Sequence, residues 1–171
     1  MEETYSFVKI EYYADDDCIE FPSFDIPTIT YFNGTDVEQT FPFDQWTVYY
    51  TESSHFVTDD WDSFFLEGIK GIALSVPVNI DEYNNIYLGN KKWEYSLNVQ
   101  TRKPEHSFST DVNIPPKTVA IIECRLFLKQ YKTSYKLFLK ENQTKKEKII
   151  EGIWTGTYLD HPQIDIQYYD L

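Results

Sequence analysis

The segment from Thr118 to Lys140 constrains the fold most, because its apolar residues alternate directly after a Pro-Pro pair. Period-two alternation is typical of a half-buried strand, and the content of Val, Ile and Phe also favours a strand over the alternative, a helix. At about 3.3 Å per residue, a strand from Thr118 to Lys129 would span roughly 40 Å, about twice the usual length. The apolar face of this predicted strand consists of Ala120, Ile122, Cys124, Leu126 and Leu128.

Strand character extends over the rest of the chain. Aromatic residues make up 18% of the sequence and include 14 tyrosines, and such side chains suit pleated, half-exposed surfaces. Turn signals such as Asp15-Asp16-Asp17 and His161-Pro162 separate the predicted strands. The sequence therefore predicts an all-β fold, elongated and built from long twisted antiparallel strands, with little helix. The predicted strands cover residues 5–13, 28–32, 45–57, 69–78, 85–88, 92–101, 106–114, 118–129, 133–140, 147–154 and 163–169.

The length of the chain bounds its domain organisation. A chain of 171 residues makes one large domain or two small ones. Because no linker is rich enough in Pro, Gly or Ser to mark a boundary, we predict a single elongated β domain over residues 1–171. A soft division is expected near residue 34, between an acidic N-terminal part, 1–34, and a longer-stranded part, 35–171.

The negative charge is concentrated in residues 1–67, which hold 16 of the 28 acidic side chains and a single basic one, Lys9, giving −15. The remaining residues carry 12 acidic and 14 basic side chains, giving +2. An acidic surface repels nucleic acid and anionic lipid, and the basic stripe that nucleic-acid binding requires is missing. We therefore expect no nucleic-acid partner.

The residue types that carry most enzyme chemistry are scattered along the chain. His55, His106 and His161 lie more than 50 residues apart, and none has a local partner. Neither cysteine belongs to a metal-binding motif, and no Gly-rich phosphate loop occurs in the sequence. We therefore predict a protein that is not an enzyme, with no catalytic residue, no cofactor and no metal site. Cys124 is expected to be a buried free thiol, although a disulfide to Cys18 stays open.

Five short passages, in a fixed order, carry a resemblance to a known family. From about Asp25 to Leu171, the sequence resembles the aerolysin-type β-pore-forming proteins, in particular the epsilon-toxin and mosquitocidal-toxin group. The passages are Tyr31–Thr40 with its N-x-T-x-x-x-Q-T pattern, Gln45–Phe56, Asn90–Phe108, the Pro-Pro step in Ile114–Val119, and the G-x-W-x-G-x-Y pattern in Glu151–Tyr158.

The resemblance implies a pore-forming toxin or defence protein with an aerolysin-like fold, whose pore-forming module is residues 35–171. Members of this family gather on a target membrane or surface receptor, form a homo-oligomer, and insert a β-hairpin from each subunit. The segment Met1–Tyr13 lacks the basic and apolar regions of a signal peptide. We therefore expect a protein that is secreted or released without an evident signal peptide and that acts at a target membrane.

The resemblance places the inserting hairpin between the predicted strands 45–57 and 92–101. One arm is Gly68–Ile80, where apolar residues alternate with small or polar ones, and the other is Asp81–Gly89. Alternation of this kind suits a strand with one face in lipid, but it also fits an ordinary strand with its apolar face on a core. The residues predicted to insert are Ile72, Leu74, Val76, Val78, Ile80, Tyr87 and Leu88.

The alternative function is a non-lytic binding protein on the same aerolysin-like scaffold, with a carbohydrate or protein ligand. Exposed aromatic rings would serve such a function because they stack on the faces of sugars. Each of these rings could instead pack in the core or against a neighbouring strand. The candidate ligand-binding aromatic residues are Trp46, Tyr49, Tyr50 and Trp61.

Overall fold

The computed structural model describes residues 5–20, 23–42, 47–59, 69, 71–107 and 111–171. Within these residues the regular elements are all β-strands, and their pairing is antiparallel. The predicted all-β class with long antiparallel strands is therefore confirmed. The strands are β1 (Tyr5–Glu20), β2 (Ser23–Asn33), β3 (Gln39–Pro42), β4 (Thr47–Tyr49), β5 (Glu52–Thr58), β6 (Ala73–Ile80), β7 (Ile86–Glu94), β8 (Gln100–Arg102), β9 (Glu105–Ser107), β10 (Asp111–Ile114), β11 (Thr118–Glu141) and β12 (Glu147–Asp170).

Two strands are much longer than the sequence pattern predicted. β11 and β12 each span 24 residues, so the predicted strands 118–129 and 133–140 are one element, as are 147–154 and 163–169. The turn predicted at His161-Pro162 is wrong, because both residues lie in β12, beyond the part that pairs with β5. Proline lacks an N–H, and strands accept it where no ladder bond depends on that group.

The turn predicted at Asp15-Asp16-Asp17 is also wrong, because this run lies within β1. β1 pairs with β11 on both sides of the run, with Ala14 opposite Thr133 and Ile19 opposite Tyr131. The stretch of β1 between these pairs is longer than the stretch of β11 that it faces, and a β-bulge accommodates the extra residues. Sequence alone does not distinguish such a bulge from a turn.

Two predicted strands are interrupted in the structure. Residues 50–51, within the predicted strand 45–57, separate β4 from β5, and the predicted strand 92–101 contains the end of β7 and the start of β8. The described residues of the predicted strand 106–114 belong to β9 and β10. Between β7 and β8, the Ser96 hydroxyl accepts a hydrogen bond from the backbone N–H of Asn98 at 3.1 Å. Local bonds of this kind compete with the ladder of a sheet, which explains the break.

The described residues form two compact units, of which the first consists of Met1–Glu20, Glu52–Arg102 and Gln130–Tyr158. Its main sheet follows the strand order β1-β11-β12-β5-β8, whereas β6 and β7 pair with each other in a separate two-stranded sheet. One apolar cluster joins the two sheets. Its buried members are Phe56, Ile69, Leu74, Val76, Ile80, Trp93, Tyr95, Tyr131, Tyr135, Leu137, Leu139, Ile150, Trp154 and Tyr158.

The second unit consists of Phe21–Thr51, Lys103–Lys129 and Leu159–Leu171. In it β2 pairs with the first half of β11, and two short pairs, β3 with β10 and β4 with β9, complete the strands. Cys124 is buried with a free thiol, as predicted, and the Cys18 side chain lies outside the described atoms. The single domain with a division near residue 34 stays a prediction. The core of this unit contains Ile26, Val112, Ile114, Ala120, Ile122, Cys124 and Leu126.

Candidate functional site

The segment predicted to insert into membranes folds as the β6–β7 hairpin, which belongs to the first unit. Its turn is organised by Asp81, whose carboxylate accepts hydrogen bonds from the backbone N–H groups of Tyr83 (3.0 Å) and Asn85 (2.8 Å). The same carboxylate accepts from the Asn85 side chain and from the Tyr87 hydroxyl. Desolvation raises the pKa of Asp81, but these hydrogen bonds outweigh it and hold the pKa below its usual value. The turn residue Asn84 has a positive φ of 61°, a conformation that asparagine tolerates.

The hairpin ladder is irregular around Pro77. Pro77 lies opposite Leu88, and the register shifts between Ser75 and Pro77 and again between Pro77 and Asn79. Proline offers no N–H to the ladder, so bulges on either side of it relieve the lost bond. The shifts break the alternation that the sequence predicted, because Pro77 is buried whereas Val78 is exposed.

The seven residues predicted to insert therefore fall into two groups. The first group faces the apolar cluster of the first unit, and the second is open to solvent. Buried or half-buried are Leu74, Val76, Ile80 and Ile72, and exposed are Val78, Tyr87 and Leu88. In this structure, the hairpin thus uses most of its apolar residues to cover the core.

Two tyrosine hydroxyls fasten the first arm of the hairpin to the main sheet. The Tyr12 hydroxyl of β1 donates to the backbone oxygen of Ser75 at 2.8 Å, and the Tyr131 hydroxyl of β11 donates to Asn79 Oδ1 at 3.3 Å. Burial, with a smaller contribution from Tyr158, raises the pKa of Tyr12 far above its usual value. The Tyr12 hydroxyl therefore stays protonated and remains a donor over the whole physiological pH range.

The second arm is fastened by side chains of β5 and β8. Arg102 stacks over the ring of Trp93, with 3.9 Å from its guanidinium carbon to the ring centroid, and donates a hydrogen bond to the backbone oxygen of Lys92. Gln100 donates to the backbone oxygen of Glu94. Lys91 Nζ lies 3.9 Å from the largely buried Glu52 carboxylate. None of these partners was predicted, although the sequence holds a signal, since Arg102 is one of only two arginines in a lysine-rich chain.

Beneath the hairpin, the core contains a group of aromatic side chains with linked hydroxyls. The hydroxyls of Tyr95 and Tyr135 lie 2.8 Å apart, and the Tyr135 hydroxyl is 3.3 Å from the backbone oxygen of Val57. Phe56 packs edge-on against Tyr135 with ring centroids 5.3 Å apart. Burial raises the pKa of Tyr135 far above its usual value, and the neighbouring Tyr95 raises it further. The Tyr135 hydroxyl is therefore a neutral structural group at physiological pH.

Of the four candidate ligand-binding aromatic residues, the structure describes two, Tyr49 and Tyr50. Tyr49 is exposed, and its hydroxyl lies 3.3 Å from Glu105 Oε1. Tyr50 is half-buried and packs against the core of the second unit. Trp46 and Trp61 lie outside the described residues.

The described residues contain no group of three or more His, Cys, Asp or Glu side chains that could hold a metal ion. In the same part of the chain, there is no helix with the length and hydropathy needed to cross a bilayer.

Comparison with known proteins shows the fold. No protein-family model matches the sequence, and no curated protein matches it. Among solved structures, the chain is similar to the lamprey immune protein, with a TM-score of 0.68 and 12% identity over 98% of this chain and 54% of that one. It is also similar to the Mpp75Aa1.1 β-pore-forming protein from Brevibacillus laterosporus, with a TM-score of 0.57 and 10% identity over 96% and 69% of the two chains.

A third similar structure is the aerolysin-like protein of Bombina maxima, with a TM-score of 0.48 and 11% identity over 100% of both chains. At these identities the likeness to the lamprey and Brevibacillus structures concerns the fold alone, which is all-β with long antiparallel strands, as predicted. The chain spans about half the length of the lamprey immune protein.

Proposed function

We propose that the chain is a pore-forming toxin or defence protein that binds membranes, oligomerises and inserts the β6–β7 hairpin. The observation that carries the proposal is the pairing of this hairpin. Among the described residues, β6 and β7 pair with each other and with no strand of the main sheet. Release of the hairpin therefore breaks side-chain contacts but leaves the ladders of the main sheet intact.

The energetics of release require a second apolar environment. Leu74, Val76 and Trp93 are each 1–2% exposed, and full burial of such side chains contributes about 1.5–3 kcal/mol apiece. In water, release would lose this contribution. Transfer of the same side chains into lipid would recover a similar amount, so a membrane favours the released state.

The length and pattern of the hairpin also suit insertion. β6 has 8 residues and β7 has 9, and a membrane strand needs about 9–11. In a regular ladder without the bulges beside Pro77, Leu74, Val76, Val78 and Ile80 would share one face. We propose that this face meets lipid after insertion.

The similar folds support this reading of the hairpin. Mpp75Aa1.1 is a β-pore-forming protein, and the lamprey relative is an immune protein. By analogy, the partners of this chain are a target membrane or surface receptor and further copies of itself. The chain would reach that membrane by secretion or release. The likeness to the epsilon-toxin and mosquitocidal-toxin group belongs to the same proposal.

Dye release from vesicles and lysis of cells test the proposal. Val78 is 37% exposed, so Val78→Asp should leave the soluble fold intact, whereas a carboxylate on the lipid face should abolish release. The matched control is Val57→Asp, at a 44% exposed position of β5 outside the hairpin, and it should keep wild-type release. Equal release by the two variants, or no release on any vesicle or cell type, would contradict the proposal.

The second candidate function is the non-lytic binding protein. The exposure of Tyr49 favours it, because this residue is 62% exposed and lies beside the Glu105 carboxylate. The tyrosine ring can stack on the face of a sugar, and the carboxylate can accept hydrogen bonds from the sugar hydroxyls. A glycan array with the wild type and Tyr49→Ala tests it. Loss of a glycan signal in the variant, without dye release by the wild type, would favour this function.

A further inference from the structure

The outer edge of β7 is covered by side chains where another strand could pair. The backbone oxygens of Lys92 and Glu94 accept hydrogen bonds from Arg102 and Gln100, respectively. Alternate residues of an antiparallel strand point their carbonyls to the same side, so these two oxygens lie on one edge. β6 occupies the opposite edge through its own ladder.

Such coverage has a physical reason. Unpaired N–H and C=O groups along an edge strand form a template on which another strand can pair. Here two side chains of β8 satisfy the carbonyls, although β8 and β7 share no ladder among the described residues. Two side-chain bonds leave fewer hydrogen bonds to break than a backbone ladder along this edge would.

Two further side-chain contacts connect the C-terminal end of β7 to the main sheet. The Arg102 guanidinium covers the face of Trp93, and Trp93 is only 2% exposed. Cation–π contacts strengthen when the ring is removed from water. Lys91 of β7 reaches the Glu52 carboxylate of β5, which lies opposite Arg102 in the β5–β8 pairing. Every charged or amide side chain in this group therefore connects the end of β7 to the edge of the main sheet.

We infer that Arg102 and Gln100 form a clasp that holds the hairpin on the main sheet and sets how readily it opens. This inference deepens the proposed function, on which its biological meaning rests. The two residues are positioning residues, because they act through β7. Their contacts are surface-accessible and polar, so water or a partner can replace them without disturbing the apolar cluster.

The chain carries its own probe of hairpin opening. Lys91 and Lys92 are exposed side chains within β7, and trypsin cuts there only when the local backbone leaves its extended ladder. Lysines in turns, such as Lys145 and Lys146, are exposed in the folded chain and are open to trypsin in any state, whereas the lysines inside β11 and β12 become substrates when the main sheet unfolds. The first cut inside β7, at Lys91 or Lys92 and identified by the masses of its fragments, therefore reports hairpin opening when the main sheet is still folded by circular dichroism.

The experiment compares the rate of this first cut in the wild type, Arg102→Ala, Arg102→Lys and Gln100→Ala, without any membrane. We expect Arg102→Ala to be cut about tenfold faster, because it removes both the cation–π contact and the bond to Lys92. Arg102→Lys should be cut at a rate between those of the wild type and Arg102→Ala, because lysine keeps the positive charge but lacks the planar guanidinium group. The matched control is Arg125→Ala, which breaks an exposed ion pair with Asp25 in the second unit and should be cut at the wild-type rate.

Two outcomes would overturn the inference. One is an unchanged rate in both Arg102→Ala and Gln100→Ala. The other is general digestion across the chain, which would show that the two residues support the main sheet instead of the hairpin. If Arg102→Ala does not fold, Gln100→Ala provides the test. Its cleavage rate at Lys91 or Lys92 and its amide hydrogen exchange in β6 and β7 should both exceed those of the wild type. Because the assay needs no membrane, a failure of the clasp is separable from a failure to release dye.

Discussion

Leu74 offers the sharpest test of whether the hairpin opens as a unit. Its side chain is 1% exposed in the apolar cluster, whereas Leu88 on the other arm is 48% exposed. Truncation of Leu74 to alanine removes buried carbons worth about 0.8 kcal/mol each and leaves a cavity, for a total of about 2–5 kcal/mol. The same change at Leu88 removes carbons that are half in water already, and should cost about 1 kcal/mol.

The assay is trypsin cleavage at Lys91 and Lys92 in native buffer, with the free energy of unfolding measured in parallel by urea. Cleavage follows the population of the open form when opening and closing are fast. A loss of 2 kcal/mol then corresponds to a cut about thirtyfold faster in Leu74→Ala, against about fivefold in Leu88→Ala. Circular dichroism of the main sheet should be unchanged in both variants.

Two results would refute this reasoning. If Leu74→Ala loses the stated stability but is digested throughout, with a single urea transition and no early cut in β7, the hairpin does not open separately. The proposal of an insertable hairpin would then lose its structural basis. If the two leucine variants were cut at the same rate, the placement of Leu74 in the core would be wrong.

Three further predictions concern other parts of the chain. Asp81→Ala should speed amide hydrogen exchange throughout the β6–β7 turn, because four donors lose their shared acceptor. Gly152→Ala should lower the free energy of unfolding in urea by about 1–3 kcal/mol, since a Cβ there would overlap the backbone oxygen of Val57. Burial raises the pKa of Asp160, but the hydrogen bonds from Lys129 and, to a smaller extent, His161 lower it by more. The pKa of Asp160 is therefore lower in the folded chain than in the unfolded chain. This carboxylate therefore stabilises the fold above the unfolded pKa of about 4 and loses that effect as the pH falls through the lower folded value. In urea unfolding at pH 7, the free energy of unfolding of Asp160→Asn should be about 0.5–1 kcal/mol lower than that of the wild type. This difference should vanish in acid.

Much of the architecture follows from local pattern. The alternating face of Ala120, Ile122, Cys124 and Leu126 is fully buried, because a strand sends alternate side chains to opposite faces. Leu128 is only half-buried, and farther along β11 the buried side chains are odd-numbered, beginning with Tyr131. The alternation rule predicts each stretch but not the change of phase between them.

For the hairpin too, the local sequence predicts some features and only the tertiary structure decides others. The family resemblance placed it along the chain, and its turn was predicted because alternating apolar residues end at polar residues that favour turns. Which apolar residues would be covered was not predictable. The bulges beside Pro77 turn Val78 outward, and only the packing against the main sheet decides that Leu74 faces a core.

The sequence by itself determined that this chain is all-β, with long antiparallel strands separated by turns. These properties depend on the two-residue period of a strand and on turn chemistry, both of which act over a few neighbouring residues. Only the tertiary structure decided that Tyr12 and Arg102 hold the hairpin in place. Tyr12 is 63 residues from its acceptor, Ser75, and such a meeting depends on how the strands pair and not on any local pattern.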